Sequence, residues 1–201
     1  MSDDQDSIKV ILIGDSGTGK TNLITRAAGY EFDSNSLSTT SCSYIQKTYM
    51  KHNVDYKINI WDTIGQEKFR SLTKIFVKES KIVILVYDIT NKETFESLPF
   101  WKKLVDEILD YTPIFAIVGN KMDLYDKEQV KGDEADKYAE SIGAKVLLTS
   151  AKRDSESFSN FVGGLLEDYL SKGKAERIAC SKGLDELSAG KGKRAFFEHG
   201  D

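Results

Sequence analysis

Five apolar segments set the rhythm of this chain: Ile8–Ile13 (IKVILI), Val54–Trp61 (VDYKINIW), Ile82–Tyr87 (IVILVY), Ile114–Val118 (IFAIV) and Val146–Leu148 (VLL). In the second, Val54, Tyr56, Ile58 and Ile60 alternate with Asp55, Lys57 and Asn59. That period of two predicts a strand with one wet face, whereas the unbroken runs IVILVY and IFAIV predict strands covered on both faces. SYIQKTYM, followed by His52-Asn53, is a hairpin partner for the alternating strand.

Helical spacing fills the gaps. It carries Leu23, Ile24, Ala27 and Ala28, then Phe95, Leu98, Trp101, Leu104, Val105, Ile108 and Leu109, then Phe158, Phe161, Val162, Leu165, Leu166 and Tyr169. A weaker helix is predicted from about Asp133 to Ser141. Pro99 should start or bend its helix, and Gly163-Gly164 weakens its own by about 1 kcal/mol per glycine. Strand and helix alternate, so the predicted fold is α/β: one domain with a six-stranded, mostly parallel sheet, one antiparallel edge strand and helices on both faces. Its expected bounds are 8–173, after an acidic extension at 1–7 and before a flexible tail at 174–201, where Gly, Ser, Lys and Ala follow no period.

Composition narrows the function. With 201 residues and 40% hydrophobic content, the chain can bury one substantial core, which excludes wholesale disorder. The net charge of −4 argues against a nucleic-acid binder, although residues 171–201 are locally about +2. Cys42 and Cys180 are far apart and outside any CxxC pairing, so neither a disulfide framework nor a zinc site is indicated and a reducing, cytoplasmic setting is expected. His52 and His199 read as a solvated turn and a tail residue. The basic run Lys191–Arg194, followed by Phe196-Phe197, is expected to give at most weak membrane contact.

The chemistry begins where the first strand ends. Gly14-Asp15-Ser16-Gly17-Thr18-Gly19-Lys20-Thr21 is a GxxxxGKT loop opening a helix. Such a loop turns its backbone N–H groups, here from Asp15, Ser16, Gly17, Thr18 and Gly19 into the helix at Asn22, toward phosphate. Lys20 reaches the β and γ oxygens and the Thr21 hydroxyl is placed to hold Mg²⁺. This cradle leaves the base open, since adenylate kinases and many ATPases share it. Asn120-Lys121-Met122-Asp123, at the carboxyl end of the IFAIVG strand, favours guanine over adenine and argues against an ATP-dependent kinase or ATPase: a carboxylate at Asp123 can accept from both N1–H and the 2-amino group of guanine, a donor pair adenine lacks. A third element, Trp61-Asp62-Thr63-Ile64-Gly65-Gln66-Glu67, supplies Asp62 for Mg²⁺ through water, the Gly65 N–H for the γ-phosphate, and Gln66 to orient the attacking water.

In order and spacing, GDSGTGKT, WDTIGQE, GNKMD and Thr149-Ser150-Ala151-Lys152 resemble the nucleotide motifs of the small Ras-like GTPases, and KINIW, KFRSLT and VYDIT resemble the Rab branch of vesicle-traffic regulators. The resemblance spans residues 7–170. It implies that Phe32 packs on guanine, that Thr39 contacts Mg²⁺ and the γ-phosphate, and that Ser150, Ala151 and Lys152 complete the base pocket. It also implies a monomeric switch that hydrolyses GTP slowly with Mg²⁺. An exchange factor, an activating protein and effectors would read segments near 33–45 and 64–80, transiently at the cytosolic face of endomembranes.

The chain departs from that pattern at three points. Thr40-Ser41-Cys42-Ser43-Tyr44 replaces the usual IGVDF after the switch threonine, which leaves the effector repertoire open. Ile64 stands where alanine is ordinary, and Glu198-His199-Gly200-Asp201 carries no cysteine for prenylation, so an unprenylated, mainly soluble chain is expected. Ile64 and the altered switch keep an alternative in view, a GTP-binding scaffold with little or no hydrolysis.

Overall fold

The computed structural model describes residues 7–32, 43–63 and 70–173. Six strands form one sheet in the order β2-β3-β1-β4-β5-β6: β1 Ile8–Ile13, β2 Ser43–Lys51, β3 Val54–Asp62, β4 Ile82–Asp88, β5 Ile114–Asn120 and β6 Lys145–Leu148. All pairings are parallel except β2 with β3, so the edge strand β2 is antiparallel. His52 and Asn53, at φ 51° and 60°, make the two-residue turn between them, the left-handed pair that a tight hairpin requires.

Burial follows the predicted periods. Every residue of β4 is buried, whereas β3 runs from an exposed start to alternately buried Ile58, Ile60 and Asp62. Alternate side chains of each central strand enter opposite cores. Val10 and Leu12 of β1 meet α1 (Lys20–Ala27) and α6 (residues 157–173) on one face. Ile11 and Ile13 meet Val77 of α2 (Arg70–Val77), α4 (Leu98–Asp106) and α5 (Gly132–Ile142) on the other.

Local chemistry sets the helix boundaries. The long apolar stripe around Trp101 is divided at Ser97 into α3 (Lys92–Glu96) and α4, and Pro99 lies in the first turn of α4, where its missing N–H costs no hydrogen bond. The Asn91 side chain caps α3 by accepting from the Glu93 N–H at 3.1 Å. Helix α5 ends on Gly143 at φ 65°. Helix α6 runs through Gly163-Gly164, and a Cβ on Gly163 would stand 3.3 Å from the Tyr49 ring, so the missing side chain lets the helix lie close on β2. There the Tyr49 hydroxyl donates to the Ser159 carbonyl at 3.1 Å, and the Lys47 ammonium donates to the Ala27 carbonyl at 2.9 Å and the Ser159 hydroxyl at 2.6 Å.

The turn leaving β1 is the tightest point of the fold. Gly14 has φ 146°, and a Cβ there would overlap the Val86 carbonyl of neighbouring β4. Gly14→Ala is therefore expected to destabilise the protein by about 2 to 6 kcal/mol, combining overlap with an unfavourable φ. Urea unfolding measures this, and a loss below about 1 kcal/mol would mean that β4 yields freely.

Candidate functional site

Because five strands run parallel, their carboxyl ends lie along one edge of the sheet, and the loops leaving them share that edge. The loop from β1 wraps the amino end of α1. Its Thr18 hydroxyl donates to the Asp15 carbonyl at 3.0 Å, and the Lys20 ammonium donates to the Gly14 and Asp15 carbonyls at 2.9 and 2.7 Å. Lys20 is only 5% exposed, and burial pulls its ammonium down from 10.5 to about 8 although Asp62 and Asp15 oppose the change. An anion on the loop would favour the charged form again. Gly19 caps α1 in a left-handed conformation without a side-chain hydrogen bond, so no side chain of its own competes with a phosphate for the first helical N–H groups.

Asp62, at the end of β3, is 2% exposed and accepts from the Thr21 hydroxyl at 2.7 Å. A hydroxyl and a carboxylate side by side are the hard oxygen donors that suit Mg²⁺. The next residue, Thr63, donates to the Leu12 carbonyl at 2.6 Å and ties the exit of β3 to β1.

From β5, Asn120 joins three loops. Its amide donates to the Thr18 carbonyl at 2.9 Å and its carbonyl accepts from the Ala151 N–H at 3.1 Å. Lys121 turns the chain with φ 73° and pairs with Asp88 at 2.6 Å. Asp88, at the end of β4, is 6% exposed and also accepts from the Thr90 N–H and hydroxyl. The Asp123 carboxylate accepts from the Ser150 hydroxyl at 2.6 Å, and Met122 N–H donates to the Thr149 carbonyl at 3.0 Å, so the loops after β5 and β6 form one wall.

The predicted residues thus gather at one edge, with different exposures. Thr18, Lys20, Asp62, Asn120, Ser150 and Ala151 are buried; Asp15, Gly19, Thr21, Asn22, Lys121 and Asp123 are half-buried; Ser16, Gly17 and Lys152 are exposed. Phe32 is half-buried against the core on the α1 and α6 face. Thr39, Ile64, Gly65 and Gln66, with most of 33–45 and the start of 64–80, lie outside the described residues. Two contributors escaped the sequence reading. Asp88 carried a usable signal, an acidic residue ending a wholly apolar strand. Trp101 carried none, since its position in a helical stripe reads as core, yet its indole N–H donates to the Asp15 carboxylate at 2.8 Å.

Comparison with known proteins finds relatives over most of this chain. A model of the Ras family matches residues 9–166. The chain is 42% identical to Ras-related protein Rab-31 of Rattus norvegicus over 145 residues, 72% of this chain and 74% of the relative, and equally identical to the Homo sapiens Rab-31. It is 36% identical to Ras-related protein Rab-21 of Bos taurus over 186 residues, 92% of this chain and 79% of the relative.

Asn120→Ala would strand the Thr18 carbonyl and the Ala151 N–H in a buried setting. At about 1 to 3 kcal/mol for each unpaired group, the expected destabilisation is about 2 to 6 kcal/mol. Urea unfolding of both proteins at matched nucleotide concentration checks it, and a loss within error would show that the two loops hold without the tie.

Proposed function

The chain belongs to the Ras family as a Rab-like small GTPase that hydrolyses GTP to GDP and phosphate, and from that premise we propose that it is a slow molecular switch whose GTP form is read by effectors in vesicle traffic. The observation that carries the reading is the Asn120 tie, which fixes the guanine-reading loop against the phosphate loop. A nucleotide bridging the two would meet Asp123 at its base and the Lys20 ammonium at its β and γ oxygens.

Ser150 donates to one oxygen of Asp123 and so orients the carboxylate. Ser150, Ala151 and Lys152 would form the base wall, and Phe32, half-buried against the core cluster that contains Ala151, would pack on the guanine ring. The loop N–H groups from Asp15 through Asn22 and the buried Lys20 offset charge that grows on the phosphate oxygens as the bond to the γ-phosphoryl group loosens. Thr21 and Thr39 directly, and Asp62 through water, would hold Mg²⁺, which would supply positive charge to offset that on the phosphate oxygens. Gly65 would donate to the γ-phosphate, and Gln66 would orient the water. No arginine lies in these motifs, so fast turnover calls for one from an activating protein, typically worth about 10³ to 10⁵ in rate.

The switch segments would then report the nucleotide, ordered by the γ-phosphate and released on hydrolysis. Their described flanks support a protein-reading surface. Tyr44 of β2 stacks on Trp61 of β3 at 4.8 Å, Trp61 meets Phe76 of α2 at 5.9 Å, and Tyr44 and Ile75 are 53% and 61% exposed. An exchange factor and an activating protein would act on the same segments. Among the described residues no helix is long and apolar enough to cross a membrane.

Asp123→Asn removes the acceptor for guanine's N1–H and 2-amino group, with an expected loss of about 1 to 3 kcal/mol in GDP binding and a relative gain for xanthosine diphosphate. Titration of fluorescent GDP and XDP reads both, and undiminished GDP binding would refute guanine reading by Asp123. Gln66→Leu should keep nucleotide binding while single-turnover GTP hydrolysis falls, because Leu can neither accept from nor donate to the water. Equal hydrolysis by both proteins, with activating protein present, would remove Gln66 from the mechanism and favour a scaffold role.

A further inference from the structure

Asp15 sets a carboxylate beside a loop whose task is to receive phosphate, an electrostatically unfavourable choice unless the charge is held aside. The structure shows what holds it: Trp101 on α4, 2% exposed, donates from its indole nitrogen to Asp15 Oδ1 at 2.8 Å. The backbone carbonyl of Asp15 accepts from the Lys20 ammonium at 2.7 Å and from the Thr18 hydroxyl at 3.0 Å. One residue is therefore gripped from α4 by its side chain while its carbonyl aims the phosphate-binding lysine.

We infer that Trp101 is a positioning residue for nucleotide binding, whose indole N–H draws the Asp15 carboxylate toward α4 and so fixes the carbonyl that orients Lys20. Three observations make this more than core packing. The indole is a donor only, and burial obliges it to find an acceptor. The acceptor it finds is charged, which makes the bond short and strong. Beyond the hydrogen bond, Trp101 is seated in the core made by Leu98, Leu104 and Val105 against β1 and β4, so the anchor is rigid. Displacement of α4, for instance by a partner bound to its outer face, would be passed to the phosphate loop through this bond.

The inference rests on the reading of residues 14–21 as a phosphate cradle, which retention of fluorescent GDP by the wild-type protein tests by itself. Trp101→Phe keeps an aromatic ring in the core and removes the donor, while Asp15→Ala removes the acceptor. Each single variant is expected to release fluorescent GDP about tenfold faster, the factor that 1.4 kcal/mol represents. The double variant is expected to be no faster than either single one, because both cut the same bond. Asp15→Asn, which retains an oxygen acceptor, should recover most of the difference between Asp15→Ala and wild type. Melting temperature, read in parallel, reports the packing lost with the indole as well as the shared bond, so Trp101→Phe should lower it in both the wild-type and the Asp15→Ala backgrounds, and by less in the second, where the bond is already cut. Release rates that multiply in the double variant, or an unchanged rate in Trp101→Phe with only the melting temperature lowered, would reduce Trp101 to a core residue and overturn the inference.

Discussion

A single side-chain amide organises this molecule's working edge. Asn120 gives its N–H to the Thr18 carbonyl and takes the Ala151 N–H onto its oxygen, and both bonds are buried. Parallel strands deliver three loops to the same edge, but pairing between strands does not set how those loops lie against one another. Asn120 does so by satisfying a main-chain acceptor of one loop and a main-chain donor of another, groups that would be costly to leave unpaired away from water. The loops after β1, β5 and β6 thereby become one surface.

Around that tie the site is built from polar groups that burial makes demanding. Lys20 is the clearest case. Two carbonyls and two nearby carboxylates support its ammonium, and desolvation still outweighs them. A group held in this way gains more from an arriving polyanion than a solvated lysine would, because its own desolvation has already occurred on folding. Asp88 plays a comparable part on the other side, a buried carboxylate that holds the Lys121 ammonium and the Thr90 turn and so steadies the loop after β5. The described part of the site is assembled in this way from the ends of β1, β3, β4, β5 and β6. The segments assigned to switching leave from the β2 and β3 side, where the sheet has its single antiparallel pair.

Much of this was legible in the chain because it depends on periods and on local geometry. Alternation in Val54–Trp61 and continuity in IVILVY fix which strands have a wet face, and the glycines of the GxxxxGKT run suit a backbone that turns sharply, as it does at Gly14. The six strands, the Pro99 break and the mixed sheet all follow from such signals, as does the gathering of most site residues at one edge. Packing altered some details. The weak helix predicted over 133–141 runs from Gly132 to Ile142, and the stripe ending at Leu109 is helical only to Asp106, with Ile108 and Leu109 still packed on the core.

The sequence by itself determined the kind of element at each position and the chemistry available at each strand end, since hydrophobic period, turn residues and side-chain donors are properties of neighbours along the chain. Tertiary structure alone decided which distant groups satisfy one another: Trp101 with Asp15, Lys121 with Asp88, Tyr49 under Gly163, Asn120 between Thr18 and Ala151. These partners are separated by up to 102 residues in the case of hydrogen bonds to Asn120, and no local period encodes them. They are selected when burial removes water as the competing partner, so a donor that would be satisfied anywhere in the unfolded chain must find one particular acceptor in the folded one.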